Sequence, residues 1–199
     1  MLIYAGTFGR VNGVGYAVEL AKALLALGSD SRLLLVGDGA ERDTVIEQAR
    51  AAGVYEQNLF FESKMTKREI PALFSAATMA SNLVIDLPEA RANSANKFFD
   101  TLASGKPIFL NHGGWMHDLV TAHGCGIAAW GRSIEEVAQE LHQRLHDPEW
   151  LGKAGAASRD LAETHFDRDV LAQQLEQVLV AAVGGNPDRA EAIAPGNYA

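Results

Sequence analysis

Two stretches of this chain collect the residue types that hold an anion and a diol. The first, AGTFGRVNGVG at 5–15, sets Gly6, Gly9, Gly13 and Gly15 between an apolar run and a helical pattern. Missing side chains let a phosphate approach backbone amides at a helix start, and Arg10 adds a positive charge. The spacing is not G-x-G-x-x-G and lacks the Lys-Ser/Thr of a Walker loop, so the dinucleotide signal is weak and a ligand-free turn explains it as well. The second stretch, NSANKFFDTLASGKPIFLNHGG at 93–114, places Asn93, Ser94, Ala95 and Asn96 before or at the start of a short half-buried helix, with Asp100 one turn inside. Asn or Ser suits an N-cap, and the same amides hold an anion where the cap is shared. A carboxylate at position 100 accepts two hydrogen bonds at once, as a ribose or sugar hydroxyl pair requires. Favourable placement of an acid near a positive helix end is the plainer explanation.

Other candidates are weaker. Asp38 in VGDG resembles a ribose-binding acid only by position, and a glycine turn is the preferred reading. Gly113 and Gly114 either bring amides to a substrate or make a turn. His142 and His146 have the i, i+4 spacing of a zinc pair, but the sequence shows no third ligand and no H-E-x-x-H, so no metal site is expected. His112 and His117 flank the glycine pair and are expected to face solvent. Cys125 lies in an apolar segment as a small buried hydrophobe, and no nucleophile elbow is present.

Apolar runs near 2–5, 32–36, 58–62, 79–85, 107–111 and 126–129 alternate with helical patterns near 14–27, 41–52, 67–77, 95–104, 115–123 and 134–146. That alternation predicts βαβ units, and the continuously apolar strands predict a parallel sheet covered on both faces. The fold class is therefore α/β, a doubly wound parallel sheet of six strands with two extra C-terminal helices, for which we take the common Rossmann-like order 3-2-1-4-5-6. In that order a crevice opens where the winding reverses, between the loops after strands 1 and 4, which are the two stretches above. One domain over 1–183 is expected, followed by a mobile tail at 184–199 that is rich in Gly, Pro and Ala.

At 199 residues with a net charge of −8, the chain lacks the basic stripe of a nucleic-acid binder. No apolar run is long enough to span a bilayer, and the single cysteine suits a reducing compartment, so a cytoplasmic location is expected. The direct opening into LIYAG leads us to expect a domain upstream.

The loops, LLLVGDGAE, KREIPALFSAA and above all NKFFDTLASGKPIFLNHGG resemble the C-terminal half of group 1 (family 4) glycosyltransferases of the two-domain GT-B architecture. The resemblance runs from about residue 2 to about residue 180. It implies a nucleotide-sugar donor, retention of anomeric configuration, no cofactor and usually no catalytic metal, with the acceptor site mostly on a missing N-terminal domain. It puts Asp100 at the second carboxylate of the family's E-x7-E motif, on the ribose, and Ala92 where the first should stand. Thr7 and Asn12 occupy the places of the diphosphate-clamping Arg and Lys, so Arg10 or Lys97 and the 93–97 amides inherit that task. Residues from Glu62 to Lys67 would lie near the base. The N-K-F-F-D variant is similar to transferases of capsule, O-antigen and exopolysaccharide synthesis, and implies a saccharide or lipid-linked acceptor and a peripheral position at the inner face of the membrane. A nucleotide-sugar epimerase or phosphorylase on the same architecture, or a non-catalytic nucleotide-binding module, are the alternatives.

Overall fold

Apolar runs too short for helices form the strands. They are β1 (Leu2–Ala5), β2 (Leu33–Val36), β3 (Leu59–Glu62), β4 (Met79–Asn82), β5 (Ile108–Leu110) and β6 (Gly126–Ala128). In the computed structural model, which describes residues 1–185 and 188, they make one six-stranded sheet in the order β3-β2-β1-β4-β5-β6. Each pair is parallel, with Leu2 beside Leu33 on one side and Met79 on the other. The expected order is therefore the observed one.

The strand period of two sorts side chains between the faces. Leu2, Tyr4, Leu33, Leu35 and Phe109 pack under α1 (Tyr16–Ala26), α2 (Arg42–Ala51) and α6 (Ile134–Leu145). On the opposite face Ile3, Val36 and Ala80 meet α3 (Ile70–Ala76). There too, Ile108 and Leu110 meet α4 (Asn96–Ala103), α5 (Trp115–His123) and α7 (Pro148–His165). Covering both faces is what lets the strands be apolar throughout.

The fourth strand stops at Asn82, short of the expected residue 85. The amides beyond it leave the ladder: Val84 N–H donates to Asn111 Oδ1 at 2.9 Å and Ile85 N–H to Val11 O at 3.0 Å. α1 begins at Tyr16 rather than 14 because Gly13 turns left-handed at φ +56° just before it. The helix α8 (Arg168–Val183) buries little beyond Ala181 and leaves Leu175, Leu179 and Val180 exposed. Of the tail expected from 184, Gly184 and Gly185 close α8, and the rest, apart from residue 188, lies outside the described residues.

Candidate functional site

β1 has β2 on one side and β4 on the other, so the chain leaves β1 and β4 in opposite directions and their loops face each other. The two loops touch. Besides the Ile85–Val11 bond, a Cβ added at Gly13 would lie 2.9 Å from the Ile85 nitrogen, so this close approach and the positive φ both require glycine.

Lys97 joins the loops from the first turn of α4. Its Nζ donates to the Tyr4 hydroxyl at 3.1 Å, lies 4.5 Å from the centre of the Tyr4 ring, and packs against Gly6. The Tyr4 hydroxyl spends its own proton on Thr7 O at 2.7 Å. The Asn12 amide, turned so that its nitrogen donates to Thr7 O at 3.1 Å, offers its oxygen to Lys97 Nζ at 3.2 Å. Every partner is neutral. Among the described residues no carboxylate pairs with Lys97, and burial alone brings its pKa down from 10.5 to about 8. The ammonium is still mostly charged at neutral pH, in a place where its charge is costly without an anion. Burial also raises the Tyr4 phenol well above its ordinary pKa, so it stays protonated as a fixed dipole.

The start of α4 corrects one expectation. Ala95, not Asn93, Ser94 or Asn96, is the N-cap, and no side chain caps it. Asn93 instead gives its carbonyl to the Trp115 indole N–H at 3.0 Å, while Ser94 and Asn96 are exposed. The first-turn amides therefore point out with no side-chain acceptor, next to Lys97. One turn on, the exposed Asp100 opens with Lys67, Ile70, Pro71 and Asn96 onto a pocket of about 630 Å³ between α3 and α4. Partial burial raises the Asp100 pKa, and the Lys67 charge opposes that rise.

The structure thus gathers Gly6, Thr7, Asn12, Gly13 and Lys97 at one point, with residues 93–96 beside it and Asp100 and Lys67 in the adjoining pocket. Arg10 stands apart. It is exposed in the 3₁₀ turn Arg10–Asn12 and lines, with Gly9, Gly13, Glu41 and Gln48, a hollow of about 90 Å³ beside α2.

Sequence reasoning missed Tyr4. The signal was there: a hydroxyl inside an apolar strand, just before the glycine loop, needs a polar partner. It also misplaced His112, which is 1% exposed; its Nδ1 donates to Gly113 O at 2.9 Å and its Nε2 meets Asn82 Nδ2 at 3.3 Å. Burial lowers its pKa, so the ring is neutral. The glycine pair serves packing: Gly113 lies against the Trp130 ring and Gly114, at φ +102°, against the Arg91 carbonyl. Arg91 stacks 4.7 Å over Trp130 and pairs with Asp86 at 3.2 Å. Asp86, Asn111, Trp130 and Arg132 line a second pocket of about 550 Å³ that also reaches Gly13.

Comparisons with known proteins agree with this geometry. Residues 1–161 match the family model "Glycosyl transferases group 1". The chain is 24% identical over 184 residues to a glycogen synthase of Mycobacterium tuberculosis, which covers 92% of this chain and 43% of that protein. It therefore spans less than half the length of that relative. Among solved structures, the C-terminal domain of a group 1 glycosyl transferase, LpcC, from Francisella tularensis superposes with a TM-score of 0.68 at 17% identity, over 84% of this chain and 86% of that one. HepE of Anabaena, solved in complex with UDP and glucose, superposes with a TM-score of 0.73 at 19% identity over 90% of this chain and 48% of its own. At such identities these two likenesses speak to fold alone. The match of the family model to most of the chain, on the sheet order and paired loops just described, places this chain in the group 1 glycosyl transferases.

Proposed function

We propose that this chain is the donor-binding half of a retaining glycosyltransferase that uses a nucleoside diphosphate sugar. The observation that carries the reading is Lys97: a half-buried, mostly charged ammonium held only by neutral groups, at the meeting of a glycine loop and a helix start without a side-chain cap. The diphosphate would sit over Gly6, Thr7, Asn12 and Gly13 and against the amides of Asn96 and Lys97. The ribose hydroxyls would reach Asp100, and the base the α3–α4 pocket beside Lys67.

In the transfer, the bond from the sugar's anomeric carbon to the diphosphate oxygen breaks, and an acceptor hydroxyl oxygen bonds to that carbon as its proton passes to the departing diphosphate. The diphosphate leaves with growing negative charge, and Lys97 with the α4 amides stabilises it. The contacts of Lys97 support such a preorganised role: ring, hydroxyl and amide oxygen hold it from different sides. The N-K-F-F-D segment supports a role in cell-surface polysaccharide synthesis, with a saccharide or lipid-linked acceptor supplied by residues outside this chain.

Calorimetry with UDP, GDP and TDP on the folded chain tests the reading. One of them binds, Lys97→Met weakens it about 10- to 100-fold, in line with ~1.5–3 kcal/mol for a hydrogen bond to a charged group, and inorganic pyrophosphate competes. No heat with any nucleotide would overturn it. Product analysis of the longer protein, with and without acceptor, separates transfer from epimerisation and phosphorolysis.

A further inference from the structure

At the opposite end of the sheet, the turn Ser29–Asp30–Ser31 between α1 and β2 meets the C-terminal end of α6. His142 and His146 share one face of that helix, and the sequence offers them no third ligand. Folding supplies one. Asp30, His142 and His146 each present a ligand atom, and the three atoms lie within 4.8 Å of one another. We propose that these residues form a binding site for zinc or a similar first-row transition metal ion, which ties the α1–β2 turn to α6.

The nearest neighbours of the ligands are arranged to support this. His146 Nδ1 donates to the His142 carbonyl at 2.7 Å, which leaves Nε2 as the nitrogen for a metal, and Nε2 faces Asp30 Oδ1 at 2.8 Å. Two groups that both carry lone pairs cannot sit at that distance unless a positive occupant lies between them. A proton serves in the present geometry, and a metal ion is the alternative. Ser29 Oγ contacts His142 Nδ1 at 2.8 Å and is itself held by the Ser31 N–H at 3.2 Å, so a buried hydroxyl fixes how the His142 ring is turned. Such outer partners on imidazole nitrogens are what metal-binding histidines use to hold their orientation.

Bonds of about 2.0–2.1 Å from imidazole nitrogen and about 2.0–2.2 Å from carboxylate oxygen require the three ligand atoms to close on a common centre. Small rotations achieve this, because the Asp30 and His146 side chains are 82% and 47% exposed. Two imidazoles and a carboxylate select zinc or its neighbours over magnesium and calcium, and three protein ligands leave the remaining position to water. The site is remote from Lys97, so its effect is on stability: an ion that binds the folded chain alone raises its melting temperature.

The test uses the chain with any affinity tag removed and metal stripped by chelator. Zinc titration by calorimetry should give one equivalent bound, and zinc but not magnesium should raise Tm. Asp30→Asn, His142→Gln and His146→Gln should each weaken zinc binding at least 10-fold while circular dichroism stays unchanged. The other neighbouring histidine pair, His123 and His165 with ring centres 5.5 Å apart, is the control: His123→Gln should leave binding as it was. No zinc binding overturns the proposal, as does binding that is lost with His123 or that survives Asp30→Asn. Should a histidine variant fail to fold, Asp30→Asn still decides, since that side chain lies on the surface.

Discussion

Lys97 pulls stability and function in opposite directions. Its pKa in the folded chain, about 8, lies below the 10.5 it has when exposed, so the unfolded chain holds a proton that the folded one gives up between those values. Stability of the ligand-free chain should therefore rise with pH from about 8 to about 9, above which Cys125, its thiol pushed up to about 11 by burial, and then Tyr4, displaced upward, oppose it. Below pH 8 the buried charge costs up to about 3 kcal/mol, from ~1.36 kcal/mol per unit. Lys97→Met should remove that cost, lose part of the gain with the cation–π contact to Tyr4, and come out more stable by about 1 kcal/mol. Urea melts at pH 7 and pH 10 check both the sign and the flattening of the pH profile. Diphosphate affinity should move the other way, falling between pH 7 and 9.5 as Lys97 loses its proton. Asp100 acts on another part of the ligand: Asp100→Asn should weaken UDP or its congener about 10-fold and leave pyrophosphate affinity unchanged, since the amide replaces an acceptor for hydroxyls only. Position 100 was readable in the sequence, and so was the need of the Tyr4 hydroxyl for a polar partner. That Lys97, 93 residues away, is one of its partners was not.

α4 and α6 show two ways to begin a helix. α6 opens with a capping box, where Ser133 Oγ accepts from Glu136 N–H and the Glu136 carboxylate reaches back to Ser133. Ser133→Ala should cost about 1 kcal/mol in a thermal or urea melt. α4 opens on Ala95 with no side chain on its amides. Ala95→Asp should give those amides an acceptor and stabilise the empty chain by about 0.5–1 kcal/mol. The same carboxylate would compete with a bound diphosphate, so nucleotide affinity should fall. If both stability and affinity rose together, the first-turn amides would not be where the anion sits. The sequence offered better caps on either side, at Ser94 and Asn96, and the helix uses neither. Where a helix starts depends on how its apolar stripe, here Phe98 and Leu102, seats in the core, and that is set by α5 and α7 as much as by the cap.

For the molecule as a whole, the chain spans 43% of the glycogen synthase it matches over 184 residues. Two candidate pockets near the switch point, one lined by Asp100 and one by Asp86, are both open to solvent. The whole-protein activity we propose needs a second wall to bring an acceptor hydroxyl to the anomeric carbon and to exclude water. Incubated with the nucleotide sugar it binds and simple saccharide acceptors, this chain should release no more diphosphate than its Lys97→Met variant. A rate of transfer well above that control would place the acceptor site within these residues. Among the described residues no helix is long and apolar enough to cross a membrane.

The alternation of apolar runs and amphipathic patterns was enough to specify a parallel sheet and the loops that follow its strands, because buried strands and covering helices each leave a local period in the chain; the strand order was expected only as the common one for such a sheet. The glycine loop, the 93–97 segment and Asp100 were legible for the same reason: they sit at fixed offsets from those periods. Contacts between segments far apart left no such trace. That Lys97 reaches Tyr4, that Arg10 turns toward α2, that His112 is buried against Asn82, and that Asp30 joins His142 and His146 follow from how the layers stack, since packing brings together residues whose nearness no short window of sequence can encode.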